Sequence, residues 1–426
     1  MSITIIFQKL FHIIYYGIIS AKQILYLLRR NLCAADIFLT LFGNGVAQLY
    51  QNPSDLWYNE LCNIIGNKSE VLKNMAKQKI AVIFGGNSSE HEISRLSARN
   101  VINNLDKEKY EVLPLGITKE GEWLLYSGDI SKLESGEWEK SNAHKAAVSS
   151  NAGERCIFVF KNDFIERVTI DAAFIVLHGK NGEDGTVQGL LTLADIPYTG
   201  CGVLSSALCM DKCFAKQIFE VNEIAQAQWL VFNKYDLSNP HEIQAKVLEK
   251  FSYPVFVKPS SVGSSIGAQK VDASDSLISA IKEALCHDAK VLVEQYVKGR
   301  EIECAVMGND APQTAQLSEI VTTKAFYDYE AKYSEGFSYN DIPAALSKEK
   351  TQEICSIAKK AYLAAGCKGF ARVDFFVENG SERVLLNEIN TIPGFTDKSA
   401  FPLMWQKSGV CFSALLDKII AHAMEG

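Results

Sequence analysis

Four polar side chains stand out near the C-terminus because they interrupt two otherwise apolar runs. Arg372 and Asp374 are two residues apart in GFARVDFFV, and Glu388 and Asn390 are two residues apart in VLLNEIN. Side chains at i and i+2 of a strand share a face. The turn signal Glu-Asn-Gly between the runs predicts an antiparallel hairpin that carries all four groups on a common face.

Two carboxylates and an amide on one face suit a divalent cation. A face that merely touches solvent is the simpler explanation, but such a face more often carries Lys, Thr or Gln. Oxygen ligands with positions left open for phosphate are what Mg²⁺ prefers. We therefore predict that Asp374, Glu388 and Asn390 hold Mg²⁺. Arg372 beside them is predicted to contact a transferring phosphoryl group or a developing oxyanion.

The middle of the chain contains a second candidate site, for a nucleotide. YPVFVKPSSVGSSIGAQKV reads as two strands joined by a Ser- and Gly-rich loop that includes Ser265. Small residues let backbone N–H groups close around phosphate oxygens, although such a loop is more often a surface turn. Lys258 ends the first strand and Lys212 begins a helix, so both are candidate phosphate ligands. Glu294 and Glu301 suit an adenine amino group and ribose hydroxyls.

The pattern from Lys79 onward is one of alternating strands and helices. KIAVIFGG and DAAFIVLHG read as buried parallel strands, and the first precedes a helix capped by Ser88 or Ser89. Ligands in open α/β sheets bind beyond the carboxyl ends of strands. Glu90 and His178 follow two such ends. The Gly-Gly pair after the first strand is not a dinucleotide motif.

Composition limits the class of protein. The chain has 426 residues, enough for two to three domains, with 47% hydrophobic and 22% charged residues. A net charge of −7 gives no reason to expect nucleic acid as a partner. The eleven cysteines form no CxxC pair. Cys209 and Cys213 are therefore expected to be reduced, buried thiols rather than metal ligands.

The first 76 residues differ from the rest. Residues 1–30 contain no acidic residue, and their longest uncharged run, between Lys9 and Lys22, is twelve residues long. A membrane-spanning helix needs about 20, so no span is expected. The segment reads as an interfacial basic helix, a poor signal sequence, or an upstream extension with translation starting at Met75. The start at Met75, or a functionally idle extension, is slightly favoured.

Seven motifs in order resemble the D-alanine–D-alanine ligases of the ATP-grasp superfamily. They are FGGNSSEHEIS, LHGKNGEDGTVQG, LSSALCMDK, FVKPSSVGSSIG, FYDYEAKY, GFARVDFF and NEINTIPGFTDKSAFP. The resemblance extends from about Lys77 to the C-terminus. Residues 121–162 look like an insertion found in longer members, and residues 1–76 have no counterpart.

The resemblance implies an α/β, three-domain ATP-grasp fold with an open-sheet N-terminal domain. The expected domains are residues 77–200, which bind substrate, a central ATP-grasp lobe at 201–294, and a C-terminal lobe at 295–426 with the metal and catalytic site. Residues 1–76 remain an extension of unknown role.

The resemblance also implies roles for individual residues. ATP would lie between the two lobes, and two Mg²⁺ ions, for which Mn²⁺ may substitute, would be bridged by Glu388. The remaining metal ligands would be Asp374 and Asn390. The nucleotide-binding residues would be Lys212, Lys258, Ser265, Glu294 and Glu301.

The substrate site is likewise implied by the resemblance. Glu90 would bind the ammonium of the first D-alanine, and His178 would help to place its carboxylate. Ser264 would link Glu90 to Tyr333. The γ-phosphate would be reached by Lys332 from a mobile loop at 325–345. Further roles would fall to Arg372 and the Gly394 N–H at the oxyanion, and to Ser399 and Ala400 around the second D-alanine.

The function implied is a cytoplasmic, ATP- and Mg²⁺-dependent ligase that makes D-alanyl-D-alanine for peptidoglycan, expected to be a homodimer without nucleic-acid or membrane partners. Two alternatives stay open. One is a ligase that takes D-serine as the second substrate. The other, from a different class, is a nucleotide-binding regulatory paralogue that has lost catalysis.

Overall fold

A computed structural model describes residues 77–264, 266–322 and 338–425. They belong to one compact unit, Lys77–Gly426. The predictions made for residues 1–76, Ser265, Lys332 and Tyr333 fall outside these ranges. Within the described ranges, no helix has the length and apolar character needed to cross a membrane.

The first sheet has seven strands in the order β6-β5-β4-β3-β2-β1-β7. Three strands at one edge are parallel: β1 pairs in parallel with both β2 and β7, as expected for the buried runs KIAVIFGG and DAAFIVLHG. The remaining strands form an antiparallel meander, which the sequence did not predict. The strands are β1 (Gln78–Gly85), β2 (Tyr110–Ile117), β3 (Trp123–Tyr126), β4 (Ala143–Val148), β5 (Cys156–Phe160), β6 (Ile165–Thr169) and β7 (Ala172–Ile175).

Helices accompany this sheet, and the first of them starts at the carboxyl end of β1. They are α1 (His91–Asn104), α2 (Lys132–Ser135) and α3 (Thr186–Leu193), with a 3₁₀ turn at Glu137–Lys140. The predicted cap of α1 is wrong, because its N-cap residue is Glu90 and not a serine. The Ser88 hydroxyl instead accepts the Glu90 N–H at 3.0 Å and donates to the His178 carbonyl. This serine therefore ties together the two loops that carry Glu90 and His178.

The second sheet has four antiparallel strands in the order β10-β9-β11-β8. The pairing of β9 with β10 confirms the hairpin predicted around the Ser- and Gly-rich loop. The elements are α4 (Val203–Met210), α5 (Lys212–Val221), β8 (Trp229–Asn233), a 3₁₀ turn (Asp236–Ser238), α6 (Pro240–Lys250), β9 (Val255–Pro259), β10 (Gln269–Val271), α7 (Ser274–Ala284) and β11 (Lys290–Gln295).

The third sheet runs β15-β14-β12-β16-β17, with the short β13 also paired to β12. All of its pairs are antiparallel. The strands are β12 (Gly299–Met307), β13 (Gln313–Thr314), β14 (Ser318–Thr322), β15 (Ser338–Asp341), β16 (Phe370–Glu378) and β17 (Val384–Asn390). The helices are α8 (Lys348–Ala364), α9 (Ala400–Lys407) and α10 (Phe412–Met424).

The first and third sheets share a hydrophobic core. Phe174 of β7 packs edge-on against Phe395 with ring centroids 5.6 Å apart, and Phe395 packs against Phe370 of β16 at 5.4 Å. The same cluster takes in α9 and α10. This packing fixes the loop 391–399, after β17, against the carboxyl ends of β1 and β7.

Candidate active site

A cavity of about 1240 Å³ lies where the three sheets meet. Every predicted site residue that the structure describes contributes to its wall. These residues are Glu90, His178, Lys212, Lys258, Ser264, Glu294, Glu301, Arg372, Asp374, Glu388, Asn390, Gly394, Ser399 and Ala400. Residues separated by up to 310 positions thus surround one space, although their individual roles remain predictions.

The C-terminal hairpin is confirmed, together with its polar face. Strands β16 and β17 pair antiparallel, with Arg372 opposite Asn390 and Asp374 opposite Glu388. Directly opposite residues of an antiparallel pair project on the same side. The register shifts between Asp374 and Phe375, so the four polar groups lie on the regular side of a β-bulge.

Arg372 is held by acids of two neighbouring strands. Its Nε and Nη2 donate to the two oxygens of Asp374 at 2.8 and 2.7 Å. Its Nε also lies 3.0 Å from Oε1 of Glu303, on β12. The Asn390 amide donates to Asp374 at 2.8 Å, which leaves its carbonyl oxygen for another partner.

The two predicted phosphate lysines approach β17 from helix α5 and from strand β9. Lys212 Nζ donates to the Val262 carbonyl at 3.2 Å and lies 3.5 Å from Oε2 of Glu388. Lys258 Nζ lies 3.5 Å from the Asn387 side-chain oxygen. These cations therefore face the acidic hairpin across the cavity.

Glu294 is buried between two lysines rather than facing open space. Its Oε1 is 2.5 Å from Lys216 Nζ and its Oε2 is 2.5 Å from Lys258 Nζ. Burial opposes ionisation of Glu294, but the lysines outweigh burial and lower its pKa to about 2.

The pKa values of the two lysines shift in opposite directions, although Glu294 acts to raise both. Burial lowers the pKa of Lys216, despite the Glu294 carboxylate beside it. Burial also acts against the charge of Lys258, but Glu294 and Glu388 outweigh it and raise its pKa. Lys258 is therefore charged at the cavity wall.

Glu90 and Ser264 meet as predicted. The Ser264 hydroxyl donates to Oε1 of Glu90 at 2.5 Å, across 174 residues of sequence. Ser264 has φ of +53°, a left-handed conformation that is uncommon for a non-glycine residue. A side chain at Gly179 would come within 2.9 Å of Glu90 Oε2, so this glycine leaves room for the carboxylate.

His178 is buried beneath the cavity wall and bound by protein atoms at both ring nitrogens. Its Nδ1 lies 3.1 Å from the Ile392 carbonyl, and its Nε2 lies 3.2 Å from the Ser97 hydroxyl. The Ser97 hydroxyl also accepts the Phe395 N–H at 3.2 Å. His178 thus connects the loop after β7 to the loop after β17.

Gly394 lies beside Ser399 in that second loop. A Cβ at position 394 would be 2.6 Å from the Ser399 hydroxyl, closer than real contacts allow. The Ser399 hydroxyl accepts the Thr396 N–H at 2.9 Å, immediately before α9 begins at Ala400. The sequence Pro-Gly after β17 thus lets the backbone pass close to the start of a helix.

Two family models match the chain. One, described as "D-ala D-ala ligase N-terminus", covers residues 79–201, and the other, "D-ala D-ala ligase C-terminus", covers residues 218–421. The chain belongs to the D-alanine–D-alanine ligase family. This confirms the predicted family, the ATP-grasp fold and the class of enzyme, an ATP-using ligase.

Individual relatives of the ligase agree with this assignment. The D-alanine–D-alanine ligase of Caldicellulosiruptor bescii is 49% identical over 352 residues, which are 82% of this chain and 96% of that protein. The D-alanine–D-alanine ligase of Acetivibrio thermocellus is 46% identical over 362 residues, 82% of this chain and 96% of that protein.

Solved structures are similar across the same part of the ligase. The VanG D-Ala:D-Ser ligase of Enterococcus faecalis is 39% identical with a TM-score of 0.74, and covers 82% of this chain and 100% of that one. The D-alanine–D-alanine ligase of Coxiella burnetii is 34% identical with a TM-score of 0.73, covering 82% of this chain and 94% of that one.

Two residues of the ligase site were missed by sequence reasoning. Lys216 follows Lys212 by one helical turn of α5, so its position on the same face was a readable signal. Glu303 follows Glu301 by two strand residues in the same way. Both are buried, with exposures of 2% and 4%, and burial cannot be read from charge alone.

Proposed function

We propose that this ligase uses ATP to join two D-alanine molecules into D-alanyl-D-alanine for peptidoglycan, in the cytoplasm and as a homodimer. The observation that carries the proposal is the polar face of Arg372, Asp374, Glu388 and Asn390, which shares one cavity with Lys212 and Lys258. Acids for a metal and cations for a polyphosphate within one cavity suit phosphoryl transfer.

The first step activates a carboxylate that an amine could not attack unaided. An oxygen of the first D-alanine's carboxylate forms a bond to the γ-phosphorus of ATP, the bond to the β–γ bridging oxygen breaks, and ADP leaves. Lys258 and Lys212 face the acidic hairpin and offset negative charge on the phosphates. Glu294 and Glu301 line the same cavity and serve the adenosine portion.

In the second step the amine of the second D-alanine attacks the acyl phosphate. The tetrahedral intermediate collapses with cleavage of the carbon–oxygen bond, which releases phosphate and leaves the peptide. Arg372 and the N–H of Gly394 stabilise the oxyanion, an effect worth about 3–4 kcal/mol per donor. A side chain at position 394 would collide with the Ser399 hydroxyl, so glycine is needed at this point of the backbone.

The first D-alanine binds at the carboxyl ends of β1 and β7. Glu90 accepts hydrogen bonds from the ammonium group of this D-alanine. Ser264 bonds to the Glu90 carboxylate and so fixes its position. His178 helps to place the carboxylate of this D-alanine, and it also bonds to the loop that carries Gly394. Tyr333, outside the described residues, is proposed to complete the group of Glu90 and Ser264.

The second D-alanine binds near the start of α9. Ser399 is the N-cap and Ala400 the first residue of this helix, and a helix N-terminus favours a carboxylate. Lys332 is proposed to contact the γ-phosphate and Ser265 the nucleotide, although both lie outside the described residues.

The donor set fits Mg²⁺. Asp374 and Glu388 are opposite each other with Asn390 alongside, and Mg²⁺ is usually held by one or two carboxylates plus substrate phosphates. Among the described residues no group of three or more Asp, Glu, His or Cys side chains is arranged to hold a metal. When bound, Mg²⁺ offsets charge on the transferring phosphoryl group.

A D-alanine–D-serine ligase is the second candidate. The similarity to the VanG D-Ala:D-Ser ligase, at 39% identity, favours testing it. A non-catalytic paralogue would need a broken site, whereas Lys258, Arg372, Asp374, Glu388 and Asn390 are all present in one cavity.

A coupled assay of ADP release tests the proposal. The purified chain is given ATP, Mg²⁺ and D-alanine, with D-serine or D-lactate added as the competing second substrate. We expect strong ADP release with D-alanine alone, a weaker increment with D-serine and almost none with D-lactate. ADP release only when D-serine is present would establish a D-alanine–D-serine ligase.

A further inference from the structure

Glu303 is a buried acid in the centre of the third sheet to which neither the sequence nor the proposed reaction gives a role. It lies on β12 directly opposite Asp374 of β16 and is 4% exposed. Burying a carboxylate is costly unless its oxygens are well bonded. Its partners therefore indicate what it is for.

The two oxygens of Glu303 bind different parts of the molecule. Oε1 lies 3.0 Å from Nε of Arg372. Oε2 accepts from the Ser318 hydroxyl at 3.0 Å and from the Asn340 amide at 2.8 Å. Asn340 also lies 2.7 Å from the Ser318 hydroxyl, so the three side chains form a closed group.

This group joins Arg372 to a neighbouring pair of strands. Ser318 begins β14 and Asn340 belongs to β15, and these strands pair antiparallel. One carboxylate thus connects the arginine on β16 to β12, β14 and β15. Turning this arginine away would break its contact with a carboxylate that these strands hold in place.

Asp374 alone is a poor anchor for Arg372. It binds the guanidinium through both oxygens, yet those oxygens are also the proposed ligands of Mg²⁺. A carboxylate that turns toward a cation weakens its hydrogen bonds to the arginine. Glu303 can hold the arginine from the neighbouring strand when this happens.

We propose that Glu303 is a positioning residue that keeps Arg372 aimed at the reacting carbonyl while Asp374 engages the cation. The inference rests on the proposed ligase reaction. It predicts that loss of the Glu303 charge impairs the chemical step and spares nucleotide binding, because Arg372 is assigned to the oxyanion and not to the nucleotide.

The test compares Glu303→Gln with the unmodified chain. Glutamine keeps an oxygen for Ser318 and Asn340 but removes the charge that attracts Arg372. We expect kcat to fall roughly 10- to 100-fold, as for a displaced catalytic group. KM for ATP and the dissociation constant of ADP should change by less than about twofold.

The matched control is Glu319→Gln. Glu319 is on β14 of the same sheet and binds Arg300 through both oxygens, at 2.7 and 2.5 Å, without lining the cavity. We expect this variant to keep the kcat of the unmodified chain. An equal loss of kcat in both variants would overturn the proposal, because any weakened ion pair of the sheet would then have the same effect.

A second readout does not depend on turnover. Solvent exchange of the Arg372 Nε–H, followed by NMR of ¹⁵N-arginine-labelled protein and assigned with Arg372→Lys, should be faster in Glu303→Gln and unchanged in Glu319→Gln. Unchanged exchange in Glu303→Gln overturns the proposal. If the unmodified chain makes no dipeptide, the ligase assignment fails, whereas the exchange result still reports on the contact between Glu303 and Arg372.

Discussion

At the scale of the residue, Glu388 offers a test of the proposal that the polar face of β16 and β17 binds a metal. It is opposite Asp374 and 3.5 Å from Lys212, so its charge serves the cavity and not the packing of β17. Glu388→Gln should reduce ADP formation by about 100-fold or more, the effect typical of lost electrostatic stabilisation, and should leave the melting temperature nearly unchanged.

The control for this variant is Glu378→Gln. Glu378 ends the same β16–β17 hairpin and pairs with Arg383 at 2.9 Å, far along the strand from Asp374. Loss of the Glu378 charge should not affect ADP formation. Turnover by Glu388→Gln at close to the unmodified rate would rule out the metal assignment.

The buried acid Glu294 makes a prediction about pH. Its pKa is about 2 in the folded chain, against an ordinary 4.5 that the unfolded chain retains. The ionised acid therefore stabilises the fold fully above pH 4.5, and this contribution is lost as the pH falls toward about 2. Glu294→Gln should lower the free energy of unfolding at pH 7, since Lys216 and Lys258 would then face each other without an acid.

Urea titrations at several pH values measure this effect. The difference in unfolding free energy between the unmodified chain and Glu294→Gln should narrow as the pH falls below 4.5. Glu242→Gln, at an exposed acid paired with Lys246, should show only a small difference throughout. If the difference in unfolding free energy between the unmodified chain and Glu294→Gln were constant between pH 7 and pH 3, the ion-pair assignment would be contradicted.

The sequence predicted the acids and the cation on the strand face that lines the cavity better than it predicted their buried partners. Asp374, Glu388 and Asn390 were readable because polar residues interrupt an apolar strand at two-residue spacing. The spacing of Lys216 from Lys212 was readable too, but its burial was not, because its charge is matched by Glu294, 78 positions later in the sequence. Pairings of this kind depend on tertiary packing, which a single sequence does not encode in any local pattern.

At the scale of the element, helix α5 makes a prediction through its N-cap. The Asp211 carboxylate accepts the N–H groups of Cys213 and Phe214, binds the Ser260 hydroxyl at 2.6 Å and pairs with Lys290. Asp211→Ala should cost about 1–2 kcal/mol of stability. It should also raise KM for ATP, because Lys212 is the first residue of the helix that this cap fixes.

Asn239→Ala is the matched control. Asn239 caps α6 by accepting the Glu242 N–H, and it does not line the cavity. We expect a similar loss of stability, measured by urea unfolding, with no change in KM for ATP. An unchanged KM in Asp211→Ala would mean that Lys212 is not positioned by its helix.

The hairpins were predictable elements, and the meander of the first sheet was not. Alternating polar and apolar residues with a turn between them determine an antiparallel pair locally, as in β9–β10 and β16–β17. Strands β3 to β6 lie within or next to residues 121–162, where several short, mixed runs could pair in more than one order. The cap of α1 was misplaced because Ser88 bonds to the His178 carbonyl, a distant partner.

At the scale of the whole molecule, residues 77–425 contain every described group of the site. The first and third sheets share one core, and residues 77–426 form one compact unit. A shortened chain beginning at Met75 should therefore keep full specific activity in the ADP-release assay. A folded but inactive shortened chain, judged by circular dichroism, would show that residues 1–74 contribute to function.

The central claim is that the cavity activates one D-alanine as an acyl phosphate and couples it to a second. D-Alanine labelled with ¹⁸O in its carboxylate tests this directly, with ATP, Mg²⁺ and the unmodified chain, by mass spectrometry of both products. Attack on the γ-phosphorus followed by carbon–oxygen cleavage moves one labelled oxygen into phosphate for each D-alanyl-D-alanine formed. Phosphate without label, or ADP release without the dipeptide, would contradict the account.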